Sequence, residues 1–252
     1  MKSRFAATAT LACALALAMS LPAAVAGQDR YKPPAGPTPR LPSGKVDFSG
    51  VWQKPYVPDL TKDGTDHKGV AELPFTPWGE ADWKKYDAAE GDYTGACLPF
   101  GMTRSVNTPE PMQIVQSDKY FTFLFEQNSW FHVVPIDGRP HRKGEPTWFG
   151  DSVGHWEGDT LVIDTIGFNG KTYIDTAQHP SSEALHVVER ISFIDPQHLN
   201  YEVTLEDPKM YTKPIKNSRV FARMKPGEEL MEYWCMENNK SIYDLPPLNL
   251  NQ

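Results

Sequence analysis

Side chains able to move protons or steady charge are dense between His155 and Arg190, a stretch of 36 residues, and six of them form a candidate set. They are His155, Asp164, Lys171, His186, Glu189 and Arg190. Such a set suits acid–base chemistry. His155 and His186 would form the proton-transfer pair, with Asp164 or Glu189 orienting one of them. Lys171 and Arg190 would stabilise developing negative charge. The reaction would be of the lyase, isomerase or cyclase type, on a small apolar or aromatic molecule, with no organic cofactor and no metal. In "HVVER" (186–190) strand alternation places His186, Val188 and Arg190 on one face, and Val187, Glu189 and Ile191 on the other. A histidine and an arginine on one face can bind an oxyanion and shuttle a proton. The same pattern also describes an exposed polar face with an ion pair.

A metal reading stands beside it. His155, His179 and His186, with Glu183 nearby, would leave an open position on a zinc or iron ion. His-x-Glu at His155–Glu157 alone offers only two ligands. Other catalytic patterns are absent from the chain. There is no Gly-x-Ser-x-Gly, no glycine-rich phosphate loop, no Cys-x-x-Cys and no His-Glu-x-x-His.

These residues need a scaffold, and the chain spells one in short strands. "QIVQ" (113–116), "KYFTFLFE" (119–126), "WFHVVPI" (130–136), "VGHW" (153–156) and "TLVIDTIGF" (160–168) are rich in aromatic and β-branched residues. "LHVVERISFI" (185–194), "LNYEVTLED" (199–207), "SRVFARM" (218–224) and "ELMEYWCM" (229–236) continue the series. Tight connections such as "EGD" make sequential strands antiparallel neighbours. "GHWEGD" (154–159) is accordingly read as a hairpin tip, with Gly158 supplying a positive φ. Glu157 and Asp159 are expected to be solvated there. If Trp156 packs on the shell, His155 points to the lumen. "TPWGEADWKKYDAA" predicts a helix, with Thr76 as N-cap, Pro77 at the first position and Glu80 three residues further on. "SSEAL" (181–185) predicts one further turn. So many consecutive strands must close or stack to hide their edges. The expected fold is mainly β: an antiparallel up-and-down barrel with one or two short helices.

"FSGVWQ" (48–53) resembles the Gly-x-Trp element of lipocalin and calycin-like barrels. The resemblance implies that Trp52 closes the barrel floor at the start of the first strand. It also implies an alternative function, a carrier of a hydrophobic ligand with a mainly apolar lumen. Seven Trp, ten Tyr and twelve Phe suit either reading. "GDSVGHWEGDTLVIDT" and "SEALHVVER", with "CLPFG", "DGRPH" and "MEYWCMENN", resemble an uncharacterised family of secreted bacterial proteins across roughly residues 95–240. That resemblance implies a shared fold and export, and no reaction.

Export is also legible at the N-terminus. Lys2 and Arg4 precede an apolar run, Phe5 to Leu21, which ends at Ala24-Val25-Ala26. This is the pattern of a signal peptide cleaved after Ala26, shorter than a membrane span. Residues 27–46 hold five prolines between Pro33 and Pro42 and read as an extended arm. Residues 47–252 would form a single barrel domain, in the periplasm or outside the cell. Losing Lys2 and Arg4 leaves 23 basic against 32 acidic residues, a balance of −9. Such acidity argues against nucleic acid and anionic membranes as partners. No sequence feature sets an oligomeric state. Cleavage also removes Cys13, leaving Cys97 and Cys235 to pair in an oxidising compartment. A bond between them would join the segment before the first long strand to a last strand at 229–236, stapling the barrel seam.

Overall fold

Apolar side chains at every second position give nine strands, each with one face turned to a shared interior. They are β1 (Gly50–Gln53), β2 (Met112–Gln116), β3 (Tyr120–Phe125), β4 (Phe131–Pro135), β5 (Asp151–Glu157), β6 (Thr160–Ile166), β7 (His186–Asp195), β8 (His198–Glu206) and β9 (Ile215–Arg223). The computed structural model describes residues 36–87 and 91–237. The expected signal peptide, and the arm as far as residue 35, lie outside the described residues.

The strands form one antiparallel sheet in the order β4-β3-β2-β1-β9-β8-β7-β6-β5. Two meanders are thus joined by the first and last strands, where Trp52 pairs with Arg223 and Gln53 with Ala222. The sheet curls into a nearly closed barrel of the expected up-and-down type, and its seam lies between β4 and β5. No ladder joins those two strands among the described residues. Side chains bridge them instead. His132 Nε2 lies 2.6 Å from Ser152 Oγ, which lies 2.7 Å from Thr165 Oγ1. Gly154 lets β4 approach, since a Cβ there would stand 2.6 Å from Ile136 and 3.3 Å from Val134.

The interior is filled rather than hollow. Phe48, Trp52, Phe121, Phe123, Phe125, Tyr201 and Phe221 are all buried. Trp156 turns inward and stacks on Phe48 at 5.9 Å. His155 must therefore leave the barrel on the outside, opposite to the expectation that it faces the lumen. The larger apolar surface of the indole decides which of two adjacent residues is buried.

The helix α1 (Pro77–Trp83) starts as expected, with Thr76 Oγ1 accepting from Gly79 N at 3.0 Å. A second helix, α2 (Met102–Asn107), has no side-chain cap and is buried along its whole length. "SSEAL" forms a turn at residues 183–184. Residues 229–236 form no strand, contrary to the reading of "ELMEYWCM". This tail crosses the barrel exterior, where Met231 N donates to Glu126 Oε2 at 2.8 Å. Cys97 and Cys235 are bonded, with their Cα atoms 5.6 Å apart. The bond ties the tail to the turn at Tyr93–Ala96 and not to a strand seam, because β1 and β9 already share a ladder. Residues 39–47 fold back on themselves through Leu41 N to Lys45 O and Asp47 N to Pro39 O.

Candidate functional site

The expected catalytic residues divide between the two faces of the barrel wall. On the outside, Asp164 of β6 holds two histidines. His186 Nε2 lies 2.8 Å from Asp164 Oδ2, and His141 Nε2 lies 2.8 Å from Asp164 Oδ1. His141 Nδ1 continues to Asp151 at 3.2 Å, and His186 Nδ1 to Glu206 at 3.5 Å. Partial burial alone would lower the His186 pKa. The hydrogen bonds and charges of Asp164 and Glu206 outweigh that and raise it. His141 comes from a loop without regular structure and carried no periodic signal.

His155 lies elsewhere on this outer face, 58 % exposed and 3.4 Å from Glu157. Arg190 Nη2 donates to the same Glu157 at 2.8 Å. Arg40 reaches across to Asp159 at 2.7 Å. The "GHWEGD" carboxylates thus sit at the hairpin turn, as expected, and both carry ion pairs. Lys171 is exposed, and its backbone N–H donates to Asn169 Oδ1. The structure therefore brings Asp164 to His186, and Arg190 to His155 through Glu157. It does not bring the two histidines together, and Lys171 joins neither group. Nor do His155, His179 and His186 converge on one point, since His179 is buried at the barrel end with Asp175.

Glu189 points the other way, into the barrel, and is fully buried. Its Oε1 accepts from the Tyr201 hydroxyl at 2.8 Å, and its Oε2 has no partner among the described residues. Burial pushes its carboxyl up to about 7. Beside it lies Arg219 of β9, 4 % exposed, over the Tyr201 ring at 5.7 Å. Arg219 Nε donates to Asn217 at 3.1 Å and Nη1 donates to Asn107 of α2. Asn107 Nδ2 in turn donates to Ile174 O at 2.7 Å. Leu60, Thr103, Asn107, Ile174, Tyr201 and Arg219 border a void of about 10 Å³, roughly the space of one water. Burial lowers the Arg219 pKa, and Tyr201, Glu189 and Asp175 partly counter that.

A wider concavity lies in a different place. It is an open groove of about 320 Å³ on the outside of the β1–β9 end, between Gln53, Tyr56, Asp66 and Val220. Lys54 borders it, but its ammonium is engaged by Thr108 and by Glu110 O. The groove thus gathers no set of convergent polar groups. The interior cluster does, and it pairs them with apolar walls and perturbed ionisation, which makes it the stronger candidate. Glu189 was legible from strand alternation. Arg219 and Asn107, which complete the cluster around it, were not, because they come from β9 and α2.

No family model and no curated protein matches the chain. Among solved structures, the chain is similar to an asparagine-to-alanine mutant of the fluorescent protein UnaG. The identity is 13 % over 71 % of this chain and 96 % of that one, with a TM-score of 0.31. The fold assignment here rests on the strand order and register described above.

Proposed function

We propose that this chain is an exported barrel that binds a small, mainly apolar molecule bearing one anionic group, at the end of the lumen closed by α2. The observation that carries this reading is Arg219. Its guanidinium is buried among Leu60, Ile174 and Tyr201. The nearest luminal carboxyl, Glu189, holds its proton up to about pH 7. A buried cation without a full counter-charge costs several kcal/mol, and a ligand's carboxylate or sulfonate would offset that. The existing void is water-sized, so the ligand would enter by displacing α2 or residues 57–60. Export is supported by the Cys97–Cys235 bond, since disulfides persist in oxidising compartments. Among the described residues no helix is long and apolar enough to cross a membrane. Membership of the uncharacterised secreted family remains part of this proposal, on the quoted motifs.

The test is a fluorescence titration with the aromatic anion 1-anilinonaphthalene-8-sulfonate. Saturable binding is expected, weakened about tenfold or more by Arg219→Gln, the loss typical of a buried charge partner. Thr103→Phe, which fills the void, should block it. Absence of saturable binding, or equal affinity in both variants, would sink the reading.

One observation favours a second reading, acid–base catalysis of the lyase, isomerase or cyclase type. A carboxyl poised near neutrality and bonded to a tyrosine, as Glu189 is to Tyr201, can both give and take a proton at physiological pH. In this reading Arg219 steadies the developing oxyanion. A bell-shaped activity profile whose limb near pH 7 vanishes in Glu189→Gln would support it over simple binding.

A further inference from the structure

We propose that His141, Asp164 and His186 form a proton-operated latch, which fastens the β4–β5 loop to the outer barrel wall while both rings are charged and releases it as pH rises. This loop, residues 136–150, is the chain's link across the seam that no ladder closes. It is anchored at both ends. Ile136 N donates to Lys119 O, and Arg139 Nη2 donates to the Tyr120 hydroxyl at 3.1 Å. At the far end Thr147 N donates to Gly167 O. Between these points, residues 140–146 make no backbone–backbone hydrogen bond among the described residues. Every residue from Asp137 to Thr147 is exposed except His141. The middle of the loop is therefore held to the wall through side chains.

His141 is clasped on both sides. Its Nδ1 lies 3.2 Å from Asp151 Oδ2 of β5, and its Nε2 lies 2.8 Å from Asp164 Oδ1 of β6. A neutral imidazole carries one N–H and one lone pair. It can donate to one of these carboxylates, but then turns its lone pair on the other. Only the doubly protonated ring donates to both. The pattern repeats beyond Asp164. Its second oxygen lies 2.8 Å from His186 Nε2 of β7, and His186 Nδ1 faces Glu206 Oε2 of β8 at 3.5 Å. Three carboxylates and two rings thus alternate along the wall. Among the described residues Arg142 is the one lysine or arginine paired with any of these carboxylates, donating from Nε to Asp151 Oδ1 at 2.7 Å. Its side chain is 77 % exposed, so that pair is a weak tether. His132 of β4, behind Asp151, is kept neutral by burial and adds no charge near neutral pH.

Proton loss from the two rings would leave three carboxylates facing one guanidinium, with ring lone pairs turned on carboxylate oxygens. The loop, carrying His141, is the part free to move away. The direction of the pH dependence follows from His186. Its folded-state pKa is raised above 6.5, because Asp164 and Glu206 outweigh partial burial. Its contribution is therefore complete below about pH 6.5 and is lost as pH rises through the raised value. The latch is closed on the acid side and open on the alkaline side.

The latch lies on the outer wall, so it stands or falls without the luminal ligand proposed above. The experiment places a methanethiosulfonate nitroxide on Glu145→Cys, an exposed loop position, and follows its mobility by electron paramagnetic resonance. The mobile-to-immobile ratio should rise about tenfold or more from about pH 5.5 to about pH 8.5, the change driven by one proton held about one pK unit more tightly in the fastened state. In His141→Ala and in Asp164→Asn the label should be mobile at both pH values. His155→Ala, on the same wall outside the cluster, should behave as the parent does. Independently of the label, the His186 ring proton followed by NMR should titrate above 6.5 in the parent and lower in Asp164→Asn. Label mobility that does not change with pH would overturn the proposal. So would a pH response that survives both His141→Ala and Asp164→Asn, or a parent His186 that titrates at or below 6.5.

Discussion

The guanidinium of Arg223 lies 4.2 Å from the centre of the Trp52 ring, and the two residues are direct partners across the β1–β9 ladder. The indole Nε1–H donates to Phe48 O at 2.9 Å. The guanidinium donates from Nη1 to Ser49 O at 2.8 Å and from Nε to Pro196 O at 3.1 Å. The pair thereby ties β1 to the last residue of β9 and to the Pro196 turn. Gly50 makes room for it. Its φ is +140, and a Cβ there would stand 2.3 Å from Arg223 Nη1.

Gly50→Ala should therefore lower stability by about 2–3 kcal/mol, combining backbone strain with displacement of Arg223. Gly158→Ala is the matched control. Its φ of +61 is also left-handed, but nothing lies within 4 Å of the new Cβ. That change should cost only about 1 kcal/mol. Urea unfolding of both variants checks the order.

Glu189 should make the barrel less stable as pH rises. Burial raises its folded-state pKa to about 7 from 4.5. The folded state thus holds a proton that the unfolded state has already released. Its contribution is complete below about pH 4.5 and is lost as pH climbs through 7, up to roughly 3 kcal/mol. Relative to Glu189→Gln, the parent should lose stability across that window. A parallel pair of curves from pH 4.5 to 7.5 would refute the assignment.

His132 should act in the opposite sense. Burial beneath the β4–β5 seam lowers its pKa to about 4 from 6.5. The neutral ring's contribution is complete above about pH 6.5 and is lost as pH falls through 4, by up to roughly 3 kcal/mol. Acid unfolding should therefore begin at this seam. Hydrogen exchange at pH 5 should open β4 and β5 before β7 and β8, and His132→Gln should flatten the acid limb of the stability curve.

The Cys97–Cys235 bond closes a loop spanning a sequence separation of 138. The chain-entropy model assigns such a loop about 5 kcal/mol. Reduction should lower the thermal midpoint by about 10 °C and should first release the tail at 229–237. Peptide mapping of the unreduced protein should recover Cys97 joined to Cys235, and two free thiols at these positions would contradict the pairing.

Much of this architecture was legible along the chain, because strand alternation, turn chemistry and helix capping are local. Gly158 marked its hairpin, Thr76 and Pro77 marked α1, and the two cysteines beyond the N-terminal apolar run marked a bond. Alternation also separated Glu189 from His186 and Arg190. Local signals could not say which of His155 and Trp156 faces inward; packing on Phe48 takes Trp156 inside and leaves His155 outside. Nor could they show α2, which has no cap and is stabilised by burial alone. The tertiary structure decided where the barrel stays unpaired, since closure depends on how all nine strands share curvature and register. It also decided which ionisable groups meet. Arg219 reaches Asn107 across a sequence gap of 112, and Asp175 reaches the Asp59–Leu60 turn across one of 115. A side chain's chemistry can be read from its type, but its partner and the water it loses are set by the packing of distant segments, which no short window of sequence contains.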